Sequence, residues 1–283
     1  MMIVILSRRY TMQASRRTFL KQFGAGAAGG ALLLQSLIHS GQVEASSPNT
    51  QHYSGTDLSG WAAVLGDAQW SANGQYWPDN NDINTNHLGG ESELEANILN
   101  RGIMTHNITY DQWVDTAALD YIHVASYEFR IPEVPTPGGN PNFNAQTLEG
   151  GYFIWDGPNT RLDYGLAFQW MLNPWISDFG HIRIWTGPAG WFDIGYLQPD
   201  TNWHTIEFMY DHQNNATGMV IDGNVYASQA SATPKDASWG SEMAVRFQAE
   251  IISLWPGEVT TAPHHHAYFR NWSTTWLPYS SIS

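Results

Sequence analysis

From residue 121 onward the chain alternates. Segments such as YIHVASYEFRI, RLDYGLAFQWML and MAVRFQAEIISLW switch between apolar and polar residues with a period of two, each bounded by Gly, Pro, Asn or Asp. That period belongs to half-buried β-strands, whose successive side chains point to opposite faces. GGYFIWDG, HIRIW, WFDIGYL, WHTIEFMYD, GMVIDGNVY and HHAYFRNWSTTW read the same way. Strands at intervals of roughly 8 to 15 residues, with no amphipathic helix between them, predict an all-β sandwich of two antiparallel sheets.

Parity then assigns each strand a polar face. In RLDYGLAFQWM, Leu162, Tyr164, Leu166, Phe168 and Trp170 form the apolar side, which leaves Arg161, Asp163 and Gln169 on the other. The same rule sets Glu128 and Arg130 opposite Tyr127, Phe129 and Ile131, and His181, Arg183 and Trp185 opposite Ile182 and Ile184. It groups Arg246, Gln248 and Glu250, and in the last strand His266, Tyr268, Arg270 and Trp272. These faces are expected to share one sheet and one concave groove, with Trp185, Trp191 and Trp272 as stacking platforms. An ion-pair ladder, with Glu128, Asp163 and Glu250 neutralising the arginines, is compatible with that groove, because charged pairs also grip hydroxyl groups.

The chain before residue 121 is less regular. Residues 46 to about 78 are rich in Gly, Ser and Asn, and WPDNNDINTNHLGGE is almost wholly turn-forming. Loops and edge strands are expected over 46–120 and core strands over 121–283, with VPTPGGNPN, residues 134–142, as a long loop at the mouth of the domain. Within the irregular part, ESELE puts Glu91, Glu93 and Glu95 at every second position, so an extended strand turns all three carboxylates to one side. Paired carboxylates of unlike protonation cut glycosidic bonds. A solvated edge strand would carry the same residues.

Ahead of all this, Arg16 and Arg17 precede Phe19, Leu20 and a glycine-interrupted apolar run. The stretch resembles a twin-arginine export signal, with a cleavage site after Ala45, and residues 1–11 read as an upstream start before Met12. Residues 1–45 are thus expected to be removed, leaving 46–283 as one secreted or periplasmic domain. Five of the 12 Lys/Arg and one of the 26 Asp/Glu lie in that leader, so the remainder carries seven against 25, a formal charge of −18. Such a surface repels nucleic acid and anionic membranes. The chain contains no cysteine, so stability must come from its core.

SYEFRIP, GGYFIWDG, LDYGLAFQWMLNP, HIRIW, WHTIEFMYDHQNNATGMVIDGNVY and AYFRNW follow one another in an order that resembles the concanavalin A-like lectin/glucanase superfamily, including laminin-G-like modules. The resemblance implies a curved jelly roll with a glycan groove, and often a structural calcium. Two enzymatic branches are similar in their motifs. Laminarinase and lichenase hydrolases carry E-x-D-x-E, which ESELE resembles with Glu93 in place of the Asp; this implies Glu91 as nucleophile, Glu95 as acid/base and Glu93 as the orienting residue. In those hydrolases the motif follows strands that it precedes here. Alginate-lyase-like enzymes carry R-S/T-E-L-R, whose S-E-L core is present, although both its arginines are glutamates here and the Q-I-H of that group is absent. A lyase would draw on Arg161, Arg183, Gln169, His181 and Tyr268 to neutralise a uronate and move its protons.

Two further clusters have plain explanations. His264, His265 and His266 suit a solvated strand entrance as well as a metal. Asp79, Asn81 and Asp82 supply oxygen donors but not the spacing of an EF-hand. The reading is a carbohydrate-active sandwich that binds, and as a lyase or hydrolase cleaves, an extracellular polysaccharide; the alternative is a non-catalytic glycan-binding or laminin-G-like interaction module. Catalytic candidates are Glu91, Glu93, Glu95, His181 and Tyr268. Binding candidates are Glu128, Arg130, Arg161, Asp163, Gln169, Arg183, Trp185, Arg246, Gln248 and Arg270.

Overall fold

The computed structural model describes residues 52–55, 61–65, 83–88, 91–97, 100–101, 104–114, 120–135, 147–155, 163–172, 178–185, 191–211, 216–229, 243–253, 258–259 and 264–278. The leader, residues 136–142 of the expected mouth loop, Asp79 to Asp82 and Arg161 lie outside them. In chain order the strands are β1 (His52–Gly55), β2 (Ala62–Leu65), β3 (Ile83–Leu88), β4 (Glu91–Asn97), β5 (Asn100–Arg101), β6 (Met104–Val114), β7 (Tyr121–Arg130), β8 (Thr147–Trp155) and β9 (Asp163–Met171). They continue as β10 (His181–Trp185), β11 (Trp191–Tyr196), β12 (His204–Asp211), β13 (Ala216–Ile221), β14 (Asn224–Gln229), β15 (Met243–Ser253), β16 (Glu258–Val259) and β17 (His264–Pro278).

Two large antiparallel sheets result, and β5 and β16 pair as a separate two-stranded ribbon. The first runs β14-β13-β12-β7-β17-β4-β3, with β1 also on β17; the second runs β11-β10-β9-β8-β15-β6-β2. The expected sandwich is therefore present. The region before residue 121 does more than edge the sheets: β4 lies between β17 and β3, and the eleven-residue β6 lies between β15 and β2. Local composition hides this, since the partners of both strands come from the far end of the chain.

Rings fill the space between the sheets. Tyr127, Phe129, Phe208, Tyr210, Phe269 and Trp272 enter from the first sheet, and Tyr152, Phe168, Trp170 and Phe247 from the second, each no more than 1% exposed. They meet across the interface as Phe129–Phe168 with centroids 5.1 Å apart, Phe247–Trp272 at 5.2 Å and Tyr152–Tyr210 at 5.7 Å, in tilted or edge-on arrangements that suit the ring quadrupole. Two of the buried tyrosines tie the sheets together through their hydroxyls. The Tyr152 hydroxyl sits 3.0 Å from His123 Nδ1 and 3.1 Å from Thr274 Oγ1, while Tyr210 donates its hydroxyl to the Tyr152 carbonyl. Burial pushes the Tyr152 phenol far above its ordinary pKa, so it stays a neutral cross-sheet tie.

The last strand departs from strict alternation. Arg270 pairs with Glu128 and Ser273 with Ser126, so Asn271 and Trp272 together oppose Tyr127, a β-bulge. Asn271 takes a left-handed φ of 56°, which Asn tolerates better than most residues. The extra residue reverses parity beyond it. Trp272, expected beside Arg270 on the polar face, turns into the core at 1% exposure and packs on Tyr127 with centroids 4.7 Å apart. A second left-handed residue, Asp222 at φ 49°, leads Gly223 at 77° in the β13–β14 turn, the Asp-Gly pair that type I′ hairpins favour. Replacing Asn271 by Val should lower stability by about 1–2 kcal/mol through left-handed strain, while Gly should be better tolerated; denaturant midpoints measure the contrast.

Candidate functional site

With Tyr127, Phe129, Ile206, Phe208 and Phe269 committed to the core, their strand neighbours must face outward on the first sheet. Register brings those neighbours together. Tyr268 lies between Glu93 on β4 and Arg130 on β7; Arg270 lies between Glu91 and Glu128; His266 pairs with Glu95. On the other side of β7, Glu128 pairs with Thr205 and Ser126 with Glu207 on β12. The ESELE strand and half of the expected basic face thus occupy one surface.

The side chains on it are interlocked. Arg270 Nε donates to Glu128 Oε2 at 2.6 Å and Asn271 Nδ2 donates to Glu128 Oε1 at 2.9 Å, so the bulge residue completes the carboxylate's shell. His266 Nδ1 stands 3.1 Å from Glu93 Oε1, which makes Nδ1 the donor when Glu93 is ionised. Trp203, the residue ahead of β12, collects both cations: the Arg270 guanidinium carbon is 4.0 Å from its ring centroid and that of Arg130 is 4.9 Å away. Arg130 also lies 4.7 Å from the centre of the Tyr268 ring. Such cation–π contacts are each worth about 0.5–2 kcal/mol, more as water is excluded. Tyr268, Arg130, Trp203 and Arg270 therefore form a continuous half-buried ledge, with Glu93 and Glu128 beside it.

Trp203 is positioned from beneath. His204, the next residue, is buried against Phe129 and Trp170 with centroids 5.5 and 5.2 Å away. Its Nδ1 is 2.7 Å from Asp222 Oδ2, and Asp222 Oδ1 accepts the Thr205 backbone N–H at 2.9 Å. His204 Nε2 lies 3.3 Å from Asp200 Oδ1, an ion-pair distance whose angle does not meet that of a hydrogen bond. The β13–β14 turn is thus tied to the start of β12, which fixes where the Trp203 ledge begins.

Glu207 completes the face and has a different setting. Val220 opposite it on β13 and Met209 two residues on are both buried, and burial raises its carboxyl pKa above the usual range.

The remaining predicted residues lie elsewhere. Gln169, His181 and Arg183 are on the outer face of the second sheet, where Gln169 donates to the buried Glu149 at 2.8 Å, Arg183 pairs with Asp178 and His181 contacts Asp193 at 2.5 Å. Arg246, Gln248 and Glu250 of β15 and Asp163 and Trp185 of β9 and β10 belong to that sheet by register. Trp191 sits exposed on its edge strand. One shared concave wall is therefore not what forms: among the described side chains, Arg130 and Arg270 lie on the first sheet and Arg183 on the second. Parity gives each strand two faces but does not say which sheet the strand joins. Sequence reasoning also passed over Trp203, Glu207 and Asn271. For Glu207 the signal was present, since Ile206 and Phe208 inward force it outward.

Among the described residues no group of three His, Asp or Glu side chains is placed to hold a metal ion.

No family model and no curated protein matches the chain. Solved structures similar to it include lectins, alginate lyases and a sialidase. A basic winged bean lectin with Tn-antigen is 15% identical, over 81% of this chain and 98% of that one, at a TM-score of 0.46. A PL7 alginate lyase from Zobellia galactanivorans is 9% identical, over 77% and 96%, at 0.44. The sialidase is 10% identical, over 79% of this chain, at 0.45, and the chain spans only 18% of the sialidase's length. These overlays are partial, and the sandwich is established by its own sheet order and common core.

A protonated Glu207 in the fold means that the folded state holds a proton that the unfolded chain has already released. Stability should therefore fall as pH rises from the ordinary glutamate range through the raised Glu207 pKa, and Glu207→Gln should flatten that part of the pH–stability curve. Urea midpoints across the acid range measure it.

Proposed function

We propose that the chain is an exported carbohydrate-active protein that binds a neutral extracellular polysaccharide along the outer face of the first sheet and hydrolyses it. The observation that carries the reading is the ledge of Tyr268, Arg130, Trp203 and Arg270 flanked by Glu93 and Glu128. It offers guanidinium and carboxylate edges to hydroxyl groups, and amphipathic rings to the apolar faces of sugars. The lectins and lyases among the similar structures bind or act on saccharides, which accords with this class of ligand.

Charge selects the substrate class. Glu93, Glu128 and Glu207, joined by Glu91 and Glu95 through register, outnumber Arg130 and Arg270, and the formal charge of the whole chain is −14. A polyuronate brings one more carboxylate per sugar and would be repelled. Lyase chemistry needs a cation placed to neutralise a uronate, whereas Arg270 is already paired with Glu128. Hydrolysis asks for carboxyl groups in unlike surroundings, and here Glu128 is held by Arg270 and Asn271 while Glu207 faces Val220.

A non-catalytic glycan-binding module is the second reading. It is favoured by the ties on Glu93 and Glu128, which hold two of the carboxylates in hydrogen bonds.

Incubation with insoluble neutral glucans, mannans and xylans, and with alginate, tests the reading. Retention on a neutral glycan with release of reducing ends is expected, with no unsaturated product from alginate. Trp203→Ala should weaken retention about 30-fold, the loss of a central contact of about 2 kcal/mol. Retention and product formation on alginate alone would overturn the choice of substrate.

A further inference from the structure

We infer that Asp222 is a positioning residue for the first-sheet face: from the β13–β14 turn it seats Trp203 through His204 and Thr205, and so sets how tightly the face retains its ligand. The inference rests on the binding face proposed above and not on its hydrolytic step.

Trp203 is the common member of the ledge, because the guanidiniums of both Arg130 and Arg270 stack on its ring. It stands just ahead of β12, whose pairing with β7 begins at His204, so the ladder does not reach it. The two residues that follow it are held instead by one turn residue. Asp222 Oδ2 lies 2.7 Å from His204 Nδ1, and Asp222 Oδ1 accepts the Thr205 N–H at 2.9 Å. The backbone N–H of Asp222 also donates to the Thr205 carbonyl at 3.0 Å.

His204 is where these ties meet the core. Its ring is buried against Phe129 and Trp170, and Asp200 Oδ1 lies 3.3 Å from its Nε2. Trp170 Nε1 donates to the Leu197 carbonyl at 3.1 Å and the Asn202 N–H donates to Asp200 Oδ1 at 2.6 Å, so the segment leading into Trp203 closes around the same imidazole. With His204 turned inward, alternation turns Trp203 and Thr205 outward. Packing holds the imidazole in place, while the contact with Asp222 sets its rotation about the ring axis. Through one peptide unit that rotation fixes the angle at which Trp203 meets the two arginines, the way a supporting hydrogen bond locks the rotamer of a binding group.

The turn itself does not need this side chain. Asp222 has a left-handed φ of 49° and Gly223 one of 77°. Glycine adopts both conformations freely. Asp222 is exposed, yet both of its oxygens are directed back onto β12. Its side chain can therefore be removed with the turn left intact.

The test measures Asp222→Gly and Asp222→Asn, each alone and combined with Trp203→Ala, on the neutral glycan that retains wild type, with circular dichroism confirming the fold. Asp222→Gly keeps the turn and loses both acceptors; it should weaken retention about 10-fold, within the range for residues that act on a site without touching its ligand. Asp222→Asn keeps an acceptor for Thr205 and a polar partner for His204, and should be retained close to wild type. In the Trp203→Ala background Asp222→Gly should add almost nothing, because the residue through which it acts is gone. A readout without ligand accompanies these: in protein labelled with fluorotryptophan, the Trp203 resonance, assigned by its absence from Trp203→Ala, should move in Asp222→Gly and return in Asp222→Asn. An equal loss in both backgrounds, unchanged retention of Asp222→Gly, or an unmoved Trp203 resonance overturns the positioning role and leaves the binding face standing. Absence of wild-type retention on every glycan overturns the binding face, and with it any part of Asp222 in retention.

Discussion

The face that carries Glu128, Arg130, Tyr268 and Arg270 is fixed from behind by rings. A strand whose odd residues are Tyr127 and Phe129, packed against Phe208, Phe168 and Trp170, has no freedom to rotate, and a slip of one residue would exchange core for solvent along its length. Burial of a large aromatic side chain stabilises by about 1.5–3 kcal/mol, so the cost of such a slip multiplies along each strand. The polar residues inherit that rigidity. Their positions follow from what they alternate with, and this holds Trp203 and two guanidiniums in a defined stack without a disulfide.

Rigidity on one side permits unlike environments on the other. Along the outer face of the first sheet, polar ties dominate around Glu128, Arg130, Tyr268 and Arg270, whereas nearer the start of β7 and the end of β17 Ile122, Val124, Met209, Val220 and Leu277 form an aliphatic cluster of their own. Glu207 stands at the border between the two. Glu128, the same residue type on the polar side, is instead held by Arg270 and Asn271. The two glutamates thus have unlike surroundings on one sheet face.

The strand periods in YIHVASYEFRI and WHTIEFMYD were legible because alternation is local, and so was the outward direction of Glu128, Arg130, Tyr268 and Arg270. Sheet membership was not. Gln169, His181 and Arg183 obey the same alternation as Arg130, yet β9 and β10 join the second sheet because pairing is decided by contacts far apart in sequence. Trp272 misled for another reason: Asn271 inserts one residue, and period-two reasoning carries no information about where a bulge falls. Trp203 opens WHTIEFMYD on the same parity as Glu207, but its role was hidden because the two guanidiniums it meets come from β7 and β17, far away in sequence.

The placement of β4 and β6 bears on how this molecule could be divided. Eleven residues of β17, seven on β4 and four on β1, and eleven of β15 lean on strands that precede residue 121. Cutting the chain at 121 to obtain the regular half alone would strip both sheets at once and leave two long bare margins of N–H and C=O groups, each a template for a neighbouring chain. The irregular-looking front of the molecule is what keeps those margins of β17 and β15 paired.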